Sequence, residues 1–173
     1  MVNVKIKKLT ETAKIPTKAH AEDAAFDLYA DIPNDTFIPW GSTEERNGLK
    51  ILPHTTVKVG TGVAMAIPNG YWGAIYARSG IATKQGLRPA NAVGVVDSSY
   101  RGEIIVALHN DSSETQIIEH GQRIAQFMLA PVIPTEFEVF INGQSNKKPQ
   151  MGVGVDEFIG MVVGCVKGRE NAM

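Results

Sequence analysis

Short apolar segments alternate with turn-forming residues along most of this chain, and this pattern constrains its fold more than any other feature. Val4 and Ile6 alternate with lysines, and Val57 and Val59 alternate around Lys58 in the same way. Continuous apolar runs of strand length cover residues 63–67, 72–77, 104–108 and 124–129, and a further alternating segment covers residues 137–141. Period-two patterns bounded by Gly, Pro and Asn are typical of β-strands. We therefore predict an all-β fold, a jelly-roll-like barrel or sandwich, with one short helical turn at residues 79–85.

Composition narrows the classes of protein to consider. The chain has 173 residues, of which 43% are hydrophobic and 20% charged, as in an ordinary globular domain. Seventeen basic and eighteen acidic side chains give a net charge of −1, which argues against a strongly basic nucleic-acid-binding protein. The single cysteine, Cys165, excludes a disulfide within the chain.

Targeting and domain signals are few. The N-terminus carries lysines without an apolar signal-peptide core, and no run approaches the ~18 apolar residues of a membrane span. These features predict a cytoplasmic protein with neither a membrane nor a nucleic acid as partner. Polar, turn-rich segments at residues 31–48 and 142–152 predict loops, and we divide the chain into a β domain (1–142) and a C-terminal tail (143–173).

Two short stretches combine charge with a turn. Residues 21–28 contain Asp23 and Asp27, which as isolated residues are typical of acids that cap a strand. The second stretch, Arg78-Ser79-Gly80, follows an apolar strand and predicts a surface turn. A guanidinium and free backbone N–H groups at one turn can also bind phosphate oxygens, so this second interpretation stays open.

Two longer stretches carry more information. In residues 91–103 an apolar strand ends at Asp97, and Tyr100-Arg101-Gly102 leads into the next strand, which predicts a β-hairpin. A carboxylate there can act as a general base for water, or can simply pair with Arg101. In residues 121–126 the alternation predicts that Gln122 and Gln126 share one face of a strand, where they are either solvated or able to bind phosphate.

Together and in this order, the four stretches resemble the motifs of the trimeric deoxyuridine triphosphatases (dUTPases). The matching segments are Ala-Ala-Phe-Asp-Leu (24–28), Arg-Ser-Gly (78–80), Gly-Val-Val-Asp-Ser-Ser-Tyr-Arg-Gly-Glu (94–103) and Gly-Gln-Arg-Ile-Ala-Gln (121–126). The resemblance implies a jelly-roll subunit, a homotrimer with active sites at subunit interfaces, and Mg²⁺-dependent hydrolysis of dUTP to dUMP and pyrophosphate. Such an activity limits uracil incorporation into DNA and supplies dUMP for thymidylate synthesis.

The resemblance also implies roles for individual residues. Asp97 would activate the water that attacks the α-phosphorus, and Tyr100 would stack on the deoxyribose and exclude a 2′-hydroxyl. Asn91 and the backbone around Val95, Val96 and Ile105 would bind the uracil edge.

The phosphate end of the substrate would be bound from a neighbouring subunit. The residues implied there are Arg78, Ser79, Gly80 and Gln126. Asp27 would act through ordered waters near the metal or through Arg101, and Mg²⁺ would be held by phosphates and water without a direct protein ligand.

The C-terminus departs from the family. The usual closing arm begins Arg-Gly and contains a Gly-Phe-Gly-Ser-Thr-Gly-like core, whereas this tail has one aromatic residue, Phe158, and no matching order. The tail is therefore a divergent lid, a strand that packs on a neighbouring subunit, or the remnant of a lost closing segment.

Two other functions remain open at this stage. A dCTP deaminase-like relative would use a glutamate against cytosine, with Glu103 as candidate, and would release ammonia. A nucleotide-binding regulatory protein of the same fold would bind dUTP with reduced or no turnover.

Overall fold

The computed structural model describes residues 2–32 and 48–139. Its regular secondary structure consists of β-strands and one short helix, as the sequence pattern predicts. The elements are β1 (Lys5–Lys8), β2 (Phe26–Tyr29), β3 (Gly48–Ile51), β4 (Thr56–Ala66), β5 (Tyr71–Tyr76), α1 (Ser79–Gln85), β6 (Leu87–Pro89), β7 (Gly94–Val96), β8 (Glu103–Asn110), β9 (Gln116–Glu119) and β10 (Arg123–Pro131).

The strands form two four-stranded antiparallel sheets. Sheet A has the order β1-β4-β8-β6, and sheet B has the order β2-β10-β5-β7. A separate two-stranded ribbon joins β3 to β9. Non-consecutive strands are neighbours in both sheets, so the connections cross between them, which confirms the predicted jelly-roll type of fold.

Alternating side chains of both sheets build the core. In β8 the residues Ile104, Val106 and Leu108 are buried, whereas Ile105 between them is exposed. This alternation follows from the pleat of a strand, which turns successive side chains to opposite faces. Sheet B contributes Leu28, Ile124 and Phe127 to the same cluster.

Two local predictions are wrong. Residues 137–139 form no strand, and Phe137 and Val139 are exposed, so alternation alone does not identify a strand without a sheet partner. Arg78-Ser79-Gly80 is not a simple surface turn, because Arg78 is the N-cap of α1 and Ser79 and Gly80 are its first two residues. The other prediction for this segment, a short helical turn at residues 79–85, is confirmed by α1, which covers Ser79–Gln85. The left-handed Gly86 ends the helix.

The chain divides into two compact units, Met1–Ile133 and Pro134–Met173. The predicted boundary after residue 142 and most of the predicted loop at residues 31–48 lie outside the described residues. Within the described residues, no helix is long and apolar enough to cross a membrane.

Candidate functional site

Strand β10 brings three of the four sequence motifs together. Gln126 pairs with Asp27 of β2 on one side and with Tyr76 of β5 on the other. Arg78 follows β5 by two residues, so it reaches the same end of the sheet. The Gln126 amide group donates to the Ala77 carbonyl at 2.8 Å and fixes this junction.

Asp27 holds two guanidinium groups at this junction. Arg78 Nε donates to Asp27 Oδ1 at 2.6 Å, and Arg123 Nη1 donates to Asp27 Oδ2 at 3.3 Å. The Asp27 side chain is 14% exposed and Arg78 is 23% exposed, whereas Arg123 reaches solvent. One carboxylate therefore orients two guanidinium groups at this end of the sheet.

A β-bulge explains why Arg123 belongs to this group. The pairing of β10 with β2 shifts between Arg123 and Ala125, and both Ile124 and Ala125 are fully buried. The bulge breaks the alternation, so the prediction that Gln122 and Gln126 share a face is wrong. Sequence reasoning also missed Arg123 as a site residue, because a strict period of two places it opposite Gln126.

The side chains at this junction line an open cavity of about 700 Å³ on the outward side of sheet B, which we call the outer cavity. Its polar lining residues are Asp23, Asp27, Arg78, Ser79, Arg123 and Gln126. Gly80 is not among them. It lies in the first turn of α1 beside open space, since an added Cβ atom would meet nothing within 4 Å.

The third motif forms a second and smaller cavity of about 220 Å³, which we call the edge cavity. Its lining combines apolar strand residues with a few polar groups: Ile75, Asn91, Gly94, Val95, Val96, Asp97, Tyr100, Glu103, Ile104 and Ile105. The exposed apolar side chains at its rim include Val95, which is 64% exposed, and Ile105, which is 48% exposed.

The loop between β7 and β8 is not the predicted hairpin. Strand β7 pairs with β5 in sheet B, and β8 pairs with β4 and β6 in sheet A, so the loop crosses between the sheets. The loop is closed by a turn, in which the Tyr100 N–H donates to the Asp97 carbonyl at 3.1 Å. This crossing opens the edge cavity between the ends of the two sheets.

The side chains of Asp97 and Arg101 differ in their hydrogen-bond partners at this loop. Asp97 is exposed, and its carboxylate has no hydrogen-bond or ion-pair partner among residues 2–32 and 48–139. Arg101 donates to the carbonyls of Ser98 and Tyr100 and so braces the loop. The predicted link from Asp27 to Arg101 is not made within the chain, since the partners of Asp27 are Arg78 and Arg123.

The two cavities share no lining residue. Ile75 lines the edge cavity and Tyr76 lines the outer cavity. Successive residues of a strand point to opposite faces. Arg78 borders the outer cavity and Asp97 borders the edge cavity of the same chain.

Comparison with known proteins identifies the family. A sequence profile of the dUTPase family matches residues 11–155. The chain belongs to the dUTPase family. A deoxyuridine 5′-triphosphate nucleotidohydrolase of Aquifex aeolicus is 42% identical over 119 residues, covering 69% of this chain and 78% of the relative. The corresponding protein of Anaplasma marginale is 35% identical over 156 residues, covering 89% and 97%.

The fold of the dUTPase family is also found by structural comparison. A mutant dUTPase from phage phi11 of S. aureus superposes with a TM-score of 0.65 and 21% sequence identity, covering 80% of this chain and 97% of that one. The phage protein coordinates a structural Mg(II) ion.

The described residues provide no ready-made metal site for this dUTPase family member. No three His, Cys, Asp or Glu side chains come together within residues 2–32 and 48–139. Two carboxylates, Asp23 and Asp27, line the outer cavity, and Asp27 is engaged by two guanidinium groups. A divalent cation in this cavity would need further ligands from a bound substrate and water.

Proposed function

We propose that this protein is a dUTP diphosphatase, which hydrolyses dUTP to dUMP and pyrophosphate by attack of water on the α-phosphorus. The observation that carries the proposal is the free carboxylate of Asp97 at the rim of the edge cavity. A carboxylate that is not tied to an internal cation is available to orient a water molecule and accept its proton. The assignment as enzyme agrees with the names of the relatives at 35–42% identity.

The lining of the edge cavity supports uracil and deoxyribose as its contents. Gly94, Val95 and Val96 form a narrow backbone wall, and Asn91 adds a side-chain amide that can pair with a base. A base whose donors and acceptors were exchanged would leave buried groups unpaired, so cytosine would be rejected. Tyr100 presents its ring at the same rim, where a sugar carrying a 2′-hydroxyl would collide with it.

The outer cavity supports binding of the triphosphate. Arg78 and Arg123 carry the positive charge, and Ser79 and Gln126 add hydrogen-bond donors beside them. Gly80 leaves the first turn of α1 open, so that a phosphate can approach its backbone closely. Magnesium would be held here by phosphate oxygens and water, and would supply charge neutralisation to the triphosphate.

Both cavities serve one substrate only if two copies of the chain meet, as in the proposed homotrimer. Arg78 of one copy would face Asp97 of another, because the two residues lie on different surfaces of one chain. The exposed side chains of Ile133, Phe137 and Val139, which are 80%, 94% and 74% exposed, support an assembly that covers them.

The structure weighs against the deaminase alternative. Glu103 is the candidate glutamate, but its Oε1 accepts the Gly62 N–H at 2.8 Å. A carboxylate engaged by the backbone in this way is a poor proton shuttle for a cytosine ring. The regulatory alternative differs from the proposal only in turnover, and would be recognised by dUTP binding without hydrolysis.

The test is pyrophosphate release from dUTP with Mg²⁺, using wild type, Asp97→Asn and the matched control Asp111→Asn. We expect Asp97→Asn to lower kcat by about 10²–10⁴-fold, the usual contribution of a general base, while binding of a non-hydrolysable dUTP analogue persists. Asp111 lies outside both cavities, so its variant should turn over normally. Binding without hydrolysis by the wild type would establish the regulatory alternative, and ammonia release from dCTP would establish the deaminase.

A further inference from the structure

Glu103, at the start of β8, is hydrogen-bonded to two separate segments. Its backbone carbonyl accepts the Tyr100 hydroxyl at 2.8 Å, and its Oε1 accepts the Gly62 N–H at 2.8 Å. Tyr100 belongs to the loop that borders the edge cavity, whereas Gly62 lies in the middle of β4. Glu103 therefore connects the rim of the edge cavity to the neighbouring strand.

The contact with Gly62 lies at an irregularity of sheet A. Strand β4 pairs Gly60 with Ile105 and Ala64 with Glu103, so three residues of β4 oppose a single residue of β8. Gly62 is buried with φ +64°, and its N–H has no place in the regular ladder. The Glu103 carboxylate supplies the missing acceptor, because a buried N–H left without one is costly.

Gly60 leaves the space that this carboxylate needs. A Cβ atom at Gly60 would lie 2.6 Å from Glu103 Oε1. Thr61, which is 1% exposed, also donates to the Ile104 carbonyl at 2.6 Å. The irregular segment of β4 is thus joined to the first two residues of β8 by side chains instead of by the backbone ladder.

Tyr100 is restrained from two sides. Its hydroxyl is bonded to the Glu103 carbonyl, and its ring lies against Gly102, where an added Cβ atom would be 2.6 Å from the phenol oxygen. The position of the ring therefore depends on where β8 begins, and the Glu103 carboxylate anchors that point.

We propose that Glu103 is a positioning residue that couples the irregular segment of β4 to the side chain of Tyr100, and thereby sets the discrimination between deoxyribonucleotides and ribonucleotides. This inference rests on the proposed function, because Tyr100 selects a sugar only if the edge cavity binds a nucleotide. Glu103 itself transfers no proton in this scheme.

The discriminating pair of variants is Glu103→Gln and Glu103→Ala. The glutamine retains an oxygen that accepts the Gly62 N–H but cannot act as a base, whereas alanine removes the acceptor. In the ligand-free protein, NMR should show hydrogen exchange of the Gly62 amide about tenfold or more faster in Glu103→Ala, in line with loss of a buried hydrogen bond. The ¹³Cζ resonance of Tyr100 should move in Glu103→Ala and stay near its wild-type position in Glu103→Gln.

The enzymatic readout is the ratio of kcat/KM for dUTP to kcat/KM for UTP. We expect Glu103→Ala to lower this ratio about tenfold, a change that corresponds to loss of one positioning interaction, and Glu103→Gln to keep it within about twofold. Gly102→Ala is the matched control: it displaces the Tyr100 ring directly, so the ratio should fall while Gly62 exchange stays as in wild type.

The possible results of these experiments bear separately on the proposed role of Glu103 and on the proposed function. A faster Gly62 exchange in Glu103→Ala with an unchanged Tyr100 signal and an unchanged ratio would make Glu103 purely structural and overturn the proposal. A loss of turnover in Glu103→Gln with the Gly62 exchange and the Tyr100 signal as in wild type would also overturn it, since a carboxylate that moves protons would then be needed. If the wild type hydrolyses no dUTP at all, the proposed function fails, and the Gly62 and Tyr100 signals still show whether the coupling exists.

Discussion

At the outer cavity, Asp27 holds two arginine side chains in place. Asp27 pairs with Arg78 and Arg123 at once, so its removal would leave two guanidinium groups without their common anchor. We expect Asp27→Asn to raise KM for dUTP by about tenfold or more, because a lost hydrogen bond to a charged group corresponds to about 1.5–3 kcal/mol. Steady-state kinetics with Mg²⁺ measures the effect. Asp23→Asn is the control, since Asp23 lines the same cavity without holding either arginine, and an equal rise in both variants would contradict the anchoring role.

Gly80 gives a test in which stability and binding move in opposite directions. Its position is helical and beside open space, so Gly80→Ala introduces no clash in the free protein. Replacing a helical glycine by alanine stabilises by up to about 1 kcal/mol, and thermal unfolding should show Tm unchanged or slightly raised. If phosphate approaches the backbone here, the new methyl group should raise KM for dUTP. An unchanged KM would remove Gly80 from the binding site.

The sequence predicts site residues that belong to a motif, but it does not predict those whose place in the site depends on the course of the backbone. Asp97 and Tyr100 line one cavity together with Asn91, whereas Arg101 of the same motif is not among the residues that line it. Arg123 was missed because the bulge in β10 turns it toward Asp27. A bulge is one inserted residue without its own sequence marker, so strict alternation misplaces whatever stands next to it.

At the scale of elements, an ion pair fastens β6 to the end of β8. Arg88 forks onto Asp111 through Nε at 2.6 Å and Nη2 at 3.1 Å. The hydrogen bond from Arg88, with a smaller contribution from its charge and from His109 and His54, holds the pKa of the Asp111 carboxyl below its ordinary value of 3.8. A carboxyl whose pKa is lowered by folding adds stability above its ordinary pKa, and this stability disappears as pH falls through the lowered value.

Because folding lowers the pKa of Asp111, the stability effect of Arg88→Gln should depend on pH. Its Tm should lie below that of the wild type by a small, constant amount at neutral pH, and the difference should shrink as pH falls below about 4. Both residues are exposed, so added salt should reduce the difference as well. In an Asp111→Asn background the same arginine substitution should show no such pH dependence. A difference that persists at pH 2 would assign the effect to packing of the Arg88 side chain.

Strand positions were predictable from the pattern, but strand partners were not. The position of β8 follows from the continuous apolar run at residues 104–108. The burial of alternate residues in it follows from the pleat of a strand. The expected hairpin at residues 91–103 failed because partner choice depends on the whole sheet: β7 adds to β5, and β8 inserts between β4 and β6. The segment at residues 137–139 has the alternation without a neighbouring strand within the described residues, and so forms none.

At the scale of the whole molecule, one chain presents two incomplete surfaces. In the proposed site the face with Arg78 would bind the phosphates, whereas the candidate base, Asp97, lies at the edge cavity. A symmetric oligomer solves this by repeating the same contact around its axis, so that each site takes one surface from each of two neighbours. For the proposed homotrimer, sedimentation should show a species of three times 18.7 kDa, the mass of one chain.

Mixing two inactive variants tests the shared site directly. Arg78→Ala and Asp97→Asn should each be inactive alone, and their co-refolded mixture should regain activity, because some sites then combine an intact Arg78 from one chain with an intact Asp97 from another. Random assembly of equal amounts makes each intact surface available half of the time, so the mixture should reach about one quarter of wild-type activity per site. Native mass spectrometry on variants of slightly different mass verifies that mixed oligomers have formed. Mixed oligomers without recovered activity would show that Arg78 and Asp97 work within one chain, and the two cavities would then have to be connected by a rearrangement of strand β5 and its neighbours.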